Sequence, residues 1–117
     1  MGYYSARPIE GLRVIALNTV IHSAYFIAAD GSNQMDDAQN QMAWFANELK
    51  DAEREGEKAY ISMHIPPGIN AFGYKKKGTD ATNWAKLPAS NAWNNQFLQI
   101  VSDYQKTIAG VLYGHTH

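Results

Sequence analysis

Residues 37–63, DAQNQMAWFANELKDAEREGEKAYISM, decide the fold, because the hydrophobic period changes within them. Ala38, Met42, Phe45, Leu49 and Ala52 recur at helical spacing, one apolar stripe on an amphipathic helix from Asp37 to about Glu55. Asp36 or Asp37 is placed to cap its start and Gly56 to stop it. From Glu57 to Met63 the chain returns to a strand pattern.

Upstream, Gly11 to Thr19 (GLRVIALNT) is rich in aliphatic and β-branched residues and reads as a strong strand. Tyr3 to Ser5 reads as a short strand ended by Pro8, and Val20 to Ala28 as a further extended segment. Asp30-Gly31-Ser32-Asn33 is a turn cluster. Downstream, residues 68–93 form a long irregular stretch with Gly68, Gly73, Gly78 and Pro88, and loops of that length are usually functional or mobile. A second helix from about Asn94 to Thr107 carries Phe97, Ile100, Val101, Tyr104 and Ile108 on one face. Ile108 to Tyr113 then reads as a buried strand. Strands, helix, strand, loop, helix, strand is an α/β order with at least one βαβ crossover, in one unit spanning residues 1–117 without repeats.

Composition narrows the function classes. With 117 residues, 45% apolar and 18% charged, and a net charge of −1, the chain is neither disordered nor drawn to polyanions. Lys75-Lys76-Lys77 is the one basic run and reads as solvated surface, so no nucleic-acid partner is expected. The absence of cysteine excludes disulfides and Cys-containing zinc sites. No stretch approaches the roughly 18 apolar residues of a membrane span, so no transmembrane segment is expected. Met1 to Pro8 shows no signal-peptide pattern, and Ala6 stands where a myristoylation signal needs Ser or Thr. Localisation stays open.

Chemistry gathers at the histidines. Gly114-His115-Thr116-His117 puts two imidazoles at i and i+2 where an apolar run stops. Strand alternation would point both the same way, at the carboxyl edge where open α/β sheets bind ligands. His64 ends the other run, Ala59 to Met63, and is followed by Ile65-Pro66-Pro67-Gly68, which fixes its loop. Neutral imidazole suits Zn, Fe, Ni and Cu, and three histidines make a metal site with an open position; the plain alternative is three unrelated histidines.

At this point the chain resembles the calcineurin-like metallophosphoesterases, specifically the acid sphingomyelinase-like phosphodiesterase branch, and their C-terminal half alone. The matching stretches are Gly2 to Ser5, Gly11 to Thr19, Gln41 to Leu49, Gly56 to Lys58, His64 to Gly68 and Gly114 to His117. The resemblance implies part of a four-layer α/β/β/α sandwich and hydrolysis of phosphodiesters or phosphomonoesters. It implies two divalent metal ions, Zn first and Fe, Mn or Ni as alternatives, clamping the phosphoryl group during in-line attack. Carried over by motif, His64 and His115 ligate one ion and His117 the other.

The departure is equally informative. No Asp-x-His, Gly-Asp or Asn-His sequence occurs, so the family's bridging aspartate, its first ligand pair and its transition-state donor are missing. The expectation is therefore a catalytic-domain fragment with no catalytic residue of its own. It would hold at most one metal ion and be inactive alone, its phosphoester substrate served by the full-length protein. The alternatives are a non-catalytic module and a mononuclear His-ligated protein. Uncovered sheet edges would favour a dimer or a swapped assembly. Family members are often secreted or periplasmic.

Lesser candidates have plainer readings. His22 matches no ligand motif and reads as structural or surface, Trp44 as packing, and Asn18 as a backbone hydrogen-bonding residue. Phe72, Tyr74, Trp84 and Trp93 follow His64, where the resemblance places a substrate cleft, with plain loop packing as the alternative.

Overall fold

The computed structural model describes residues 2–23, 25–31, 35–69, 83–84 and 93–115. Four strands, β1 (Tyr4–Ile9), β2 (Leu12–Ala16), β3 (Lys58–Ser62) and β4 (Ile108–Leu112), form one sheet in the order β1-β2-β3-β4. β1 runs antiparallel to β2, while the β2–β3 and β3–β4 pairs are parallel. Helix α1 (Met35–Arg54) carries the first crossover and α2 (Trp93–Asp103) lies on the second. Both crossovers step across the sheet in the same direction, and right-handed connections of that kind put both helices on one face. Ile15, Ala59 and Ile61 on that face bury against Ala38, Met42, Phe45 and Leu49 of α1 and Trp93 and Phe97 of α2. The rings of Phe45 and Phe97 stack at 5.6 Å between centroids. The α/β expectation holds, with two crossovers.

The stripe predicted for α1 is buried at all five positions, each large aliphatic or aromatic member contributing about 1.5–3 kcal/mol. Because the helix begins at Met35, Asp36 and Asp37 lie inside its first turn, where they complement the helix dipole rather than cap it. Gly56 stops it as expected: its φ of 69° is left-handed. Its N–H reaches the Glu53 carbonyl while the Glu57 N–H reaches that of Ala52, a Schellman closure.

Four strand expectations and one helix end are corrected. Pro8 does not end β1; the strand runs through it to Ile9, because β1 is an edge and the register shifts between Ala6 and Ile9, which removes the need for a proline N–H. The strand expected over Gly11–Thr19 shortens to Leu12–Ala16, and Thr19–His22 is a 3-10 turn instead of the start of an extended segment. The second helix ends at Asp103, ahead of the expected Thr107. β4 is not a buried strand, since it closes the described sheet and leaves Leu112 and the following Tyr113 exposed. On the face away from the helices, Leu12, Val14 and Ala16 are half-buried and Tyr60 and Leu112 exposed. Ser32, Asn33, residues 70–82 (with Phe72, Gly73, Tyr74, the lysine run and Gly78) and Pro88 lie outside the described residues.

Two buried polar networks went unseen in the sequence. Arg13 shares the helix-side face with Ile15 and is 2% exposed. Its guanidinium donates to Glu57 Oε1 at 2.6 Å and to both the side chain and the carbonyl of Glu48 at 3.1 Å. Arg7 of β1 donates to the other Glu57 oxygen at 3.0 Å. Burial alone would push the Glu57 carboxyl up, but the hydrogen bonds from Arg13 and Arg7, with their charges, hold it below the usual carboxylate range. The Gly56 closure delivers Glu57 to this spot, so a local turn sets a contact among β1, β2 and α1.

At the other end of β2, Gln41 accepts the Asn18 N–H at 2.7 Å and donates to the Asn18 carbonyl at 3.1 Å. Its second amide proton faces His22 Nε2 at 2.8 Å. His22 Nε2 therefore accepts, and the proton of the neutral ring sits on Nδ1, which is buried without a hydrogen-bond partner among the described residues. Burial pushes this imidazole down to about 4 from 6.5. His22 is structural, packed between Trp84 and Trp93.

Removing one partner of a buried ion pair costs about 3–5 kcal/mol, and Arg13→Ala is expected to lose that much in urea unfolding. The Glu57 contribution is present above the ordinary carboxylate value and is lost as pH falls through the depressed one, so the acid sensitivity should also shrink in Arg13→Ala. A loss below about 1 kcal/mol would contradict the role given to this network. The depressed His22 value has its own window: its contribution is complete above pH 6.5 and fades as pH falls to about 4, amounting to about 3 kcal/mol. Unfolding free energies measured across that window should fall less steeply in His22→Phe, and parallel profiles would contradict the buried neutral ring.

Candidate functional site

The parallel strands β2, β3 and β4 place their carboxyl ends along one rim of the sheet. Beyond β3 the alternation continues: Met63 and Ile65 turn inward and are buried, leaving His64 exposed between them. The ladder also runs past the strand ends, with the Met63 N–H on the Leu112 carbonyl at 2.9 Å and the Gly114 N–H on the His64 carbonyl at 3.2 Å. Gly114 therefore lies directly beside His64. A Cβ added to it would sit 3.7 Å from His64 Nδ1, so bare backbone borders the ring.

His115 has a φ of 84°, in the left-handed region that side chains rarely adopt, and such outliers gather at functional sites. β4 ends at Leu112, so strand alternation does not carry through to His115; this backbone turn orients it instead. His115 Nδ1 lies 3.4 Å from His64 Nε2, with the rings edge-on at 88° and centroids 5.2 Å apart. The structure thus brings two of the three predicted histidines together, nitrogen facing nitrogen, and His117 lies outside the described residues. Among the described residues no group of three or more His, Asp or Glu side chains comes within ligating reach of one point.

The loop after His64 is tied down at successive backbone groups. The Ile65 N–H donates to Thr19 Oγ1 at 2.8 Å and its carbonyl accepts from Trp84 Nε1 at 3.0 Å, both buried. Gly68, with a φ of 94°, turns the chain after the two prolines. Its N–H reaches Asn94 Oδ1 at 3.1 Å and its carbonyl accepts the Asn83 N–H at 2.9 Å. Trp84 and Trp93 are thus core residues, 0% and 2% exposed, and do not face a cleft. Trp44 packs as expected, its ring 4.8 Å from that of Tyr3. Sequence reading missed Thr19 and Gln41 and left Trp84 between a substrate cleft and packing, of which packing holds. The one available signal was that a buried tryptophan needs an acceptor for its indole N–H.

Relatives cover almost all of the chain. Sphingomyelin phosphodiesterase 2 of Caenorhabditis elegans is 36% identical over 114 residues, 97% of the chain. Sphingomyelin phosphodiesterase B of Dictyostelium discoideum is 35% identical over 117 residues, and sphingomyelinase phosphodiesterase D of the same organism 33% over 116, each 99% of the chain. The chain spans 15%, 15% and 24% of the lengths of these three proteins. No protein-family model matches it. Alignments of this extent at 33–36% identity mean that the chain belongs to the sphingomyelin phosphodiesterase family, of whose members it spans a part.

Proposed function

We propose that residues 1–117 are the C-terminal portion of a calcineurin-like metallophosphoesterase catalytic domain, in a protein that hydrolyses phosphoesters of the sphingomyelin type. The observation that carries this reading is the 3.4 Å separation of His64 Nε2 and His115 Nδ1. Two imidazoles bound at about 2.0–2.1 Å with a tetrahedral angle between them hold their nitrogens ~3.3–3.4 Å apart. The same spacing also admits a long, weak hydrogen bond between the two rings. The pair fits a single divalent ion, and neutral nitrogen donors favour Zn over Mn.

In this reading His64 and His115 hold one ion and His117 the other. Such ions supply Lewis-acid polarisation of the phosphoryl group and a nucleophile at neutral pH. The residues of the chain supply position: the clamped loop fixes His64 and the left-handed backbone aims His115. The face of the sheet opposite the helices, with Val14, Tyr60 and Leu112, would pack on the second sheet of a four-layer sandwich. Alone, it would favour self-association.

Titration of the chain with Zn²⁺ in a calorimeter should show one site per chain, abolished in His64→Ala and in His115→Ala. Absence of a binding heat in the unsubstituted chain would overturn the reading. Mixed with a chromogenic phosphodiester and Zn²⁺, the chain should show no turnover; turnover at a rate lost in His64→Ala would overturn the assignment of the remaining ligands to residues outside it.

A further inference from the structure

We infer that Thr19 and Trp84 are positioning residues that hold the His64–His115 pair in a preset geometry for capturing a cation. The inference rests on the metal reading for its function and on the hydrogen bonds for its geometry. His64 is exposed and, among the described residues, its ring meets the edge of His115, so its place depends mainly on the backbone to either side.

Two of the backbone contacts beside it continue the strand pairing, the Met63 N–H on the Leu112 carbonyl and the Gly114 N–H on the His64 carbonyl. The Ile65 N–H is different, because its acceptor is a side chain, Thr19 Oγ1, from the 3-10 turn that follows β2. Thr19 is 1% exposed and Ile65 6% exposed, so water cannot replace that acceptor. The Ile65 carbonyl is held just as firmly by Trp84 Nε1. Trp84 is immobilised in turn by its stack on His22, its edge contact with Phe97 and a bridge to Ser23. A buried hydroxyl and a buried indole thus grip the two polar groups of the residue immediately after His64. Partners of this kind, which do not touch a metal but orient its ligands, typically govern about 10–100-fold in affinity.

Thr19→Val keeps the shape and removes the acceptor, while Thr19→Ser keeps the acceptor. Thr19→Val is expected to bind Zn²⁺ about tenfold or more weakly by calorimetry, and Thr19→Ser to match the unsubstituted chain. In the metal-free chain, a nuclear Overhauser contact between the two imidazoles should be present, persist in Thr19→Ser and vanish in Thr19→Val. Unchanged affinity and an unchanged ring-to-ring contact in folded Thr19→Val would overturn the inference and leave the metal reading intact. No Zn²⁺ binding by the unsubstituted chain would overturn the metal reading, while loss of the ring contact in Thr19→Val would still support the positioning. Should Thr19→Val fail to fold, hydrogen exchange at the Ile65 amide of the unsubstituted chain decides: strong protection supports the clamp, and exchange at the rate of an open loop overturns it.

Discussion

The parallel pairing of β3 with β4 is the constraint on which the site depends. Ala59 pairs with Ile108, yet the next pair is Tyr60 with Gly110, so Ala109 is an extra residue in the ladder. Without that irregularity Tyr113 would stand opposite His64, and an aromatic ring would occupy the border of the imidazole. With it, Gly114 stands there and His115 follows immediately. A slip of one residue would also exchange the faces of β4, moving Val111 off the helix side, so burial fixes the register that aligns the histidines. The core therefore sets a geometry at the rim that no contact at the rim itself could impose.

The two buried polar networks stand at opposite ends of β2 and act differently. At its amino end, Arg13 and Glu57 bring opposite charges into the interior, where each is tolerable only because the other is present. That pair fastens the close of α1 to β2, and through Arg7 it reaches β1. At the carboxyl end the partners are neutral. Gln41 lies in the middle of α1, and its amide fixes both backbone groups of Asn18, the residue before Thr19. Helix α1 thus presets the 3-10 turn that supplies the Ile65 acceptor, and a core glutamine is connected to the exposed His64 through two hydrogen-bonded contacts joined by peptide bonds.

What could be read from the sequence was what local spacing encodes. The α1 stripe, its stop at Gly56 and the crossover order depend on residues a few positions apart, and each stands as read. Arg13 was opaque because its partner is Glu57, 44 positions away, and nothing near Leu12 or Val14 announces a buried charge. Thr19 to His22 carry residues that suit a strand, but the hydrogen bonds of Gln41 with Asn18 and His22, and of the Ile65 N–H to Thr19 Oγ1, hold them in a 3-10 turn. Trp84 lies in a glycine-rich stretch that suggests a surface loop, and only tertiary contact turns it inward. At the site, motif spacing placed His64 and His115 correctly at strand ends. The left-handed backbone that aims His115 was beyond alternation, because one residue with positive φ breaks the two-residue period.

Charge sets the upper limit on what the rim can hold. Unit charges about 4 Å apart at an effective dielectric of 20 interact by about 4 kcal/mol, so two dications at that spacing repel by about 16 kcal/mol. Imidazoles donate electron pairs but bring no negative charge, and they offset none of this. In the proposed reading, a paired-ion centre at these histidines therefore needs carboxylates from another part of the polypeptide. The open face of the sheet is where further structure would have to pack to deliver them, since the helices already occupy the other side. One ion is different: it is repelled by no neighbour, and two facing nitrogens with the right bite can begin to hold it. In the proposed reading the His64–His115 pair is therefore a half-site for one cation, with the second left to residues elsewhere in the polypeptide.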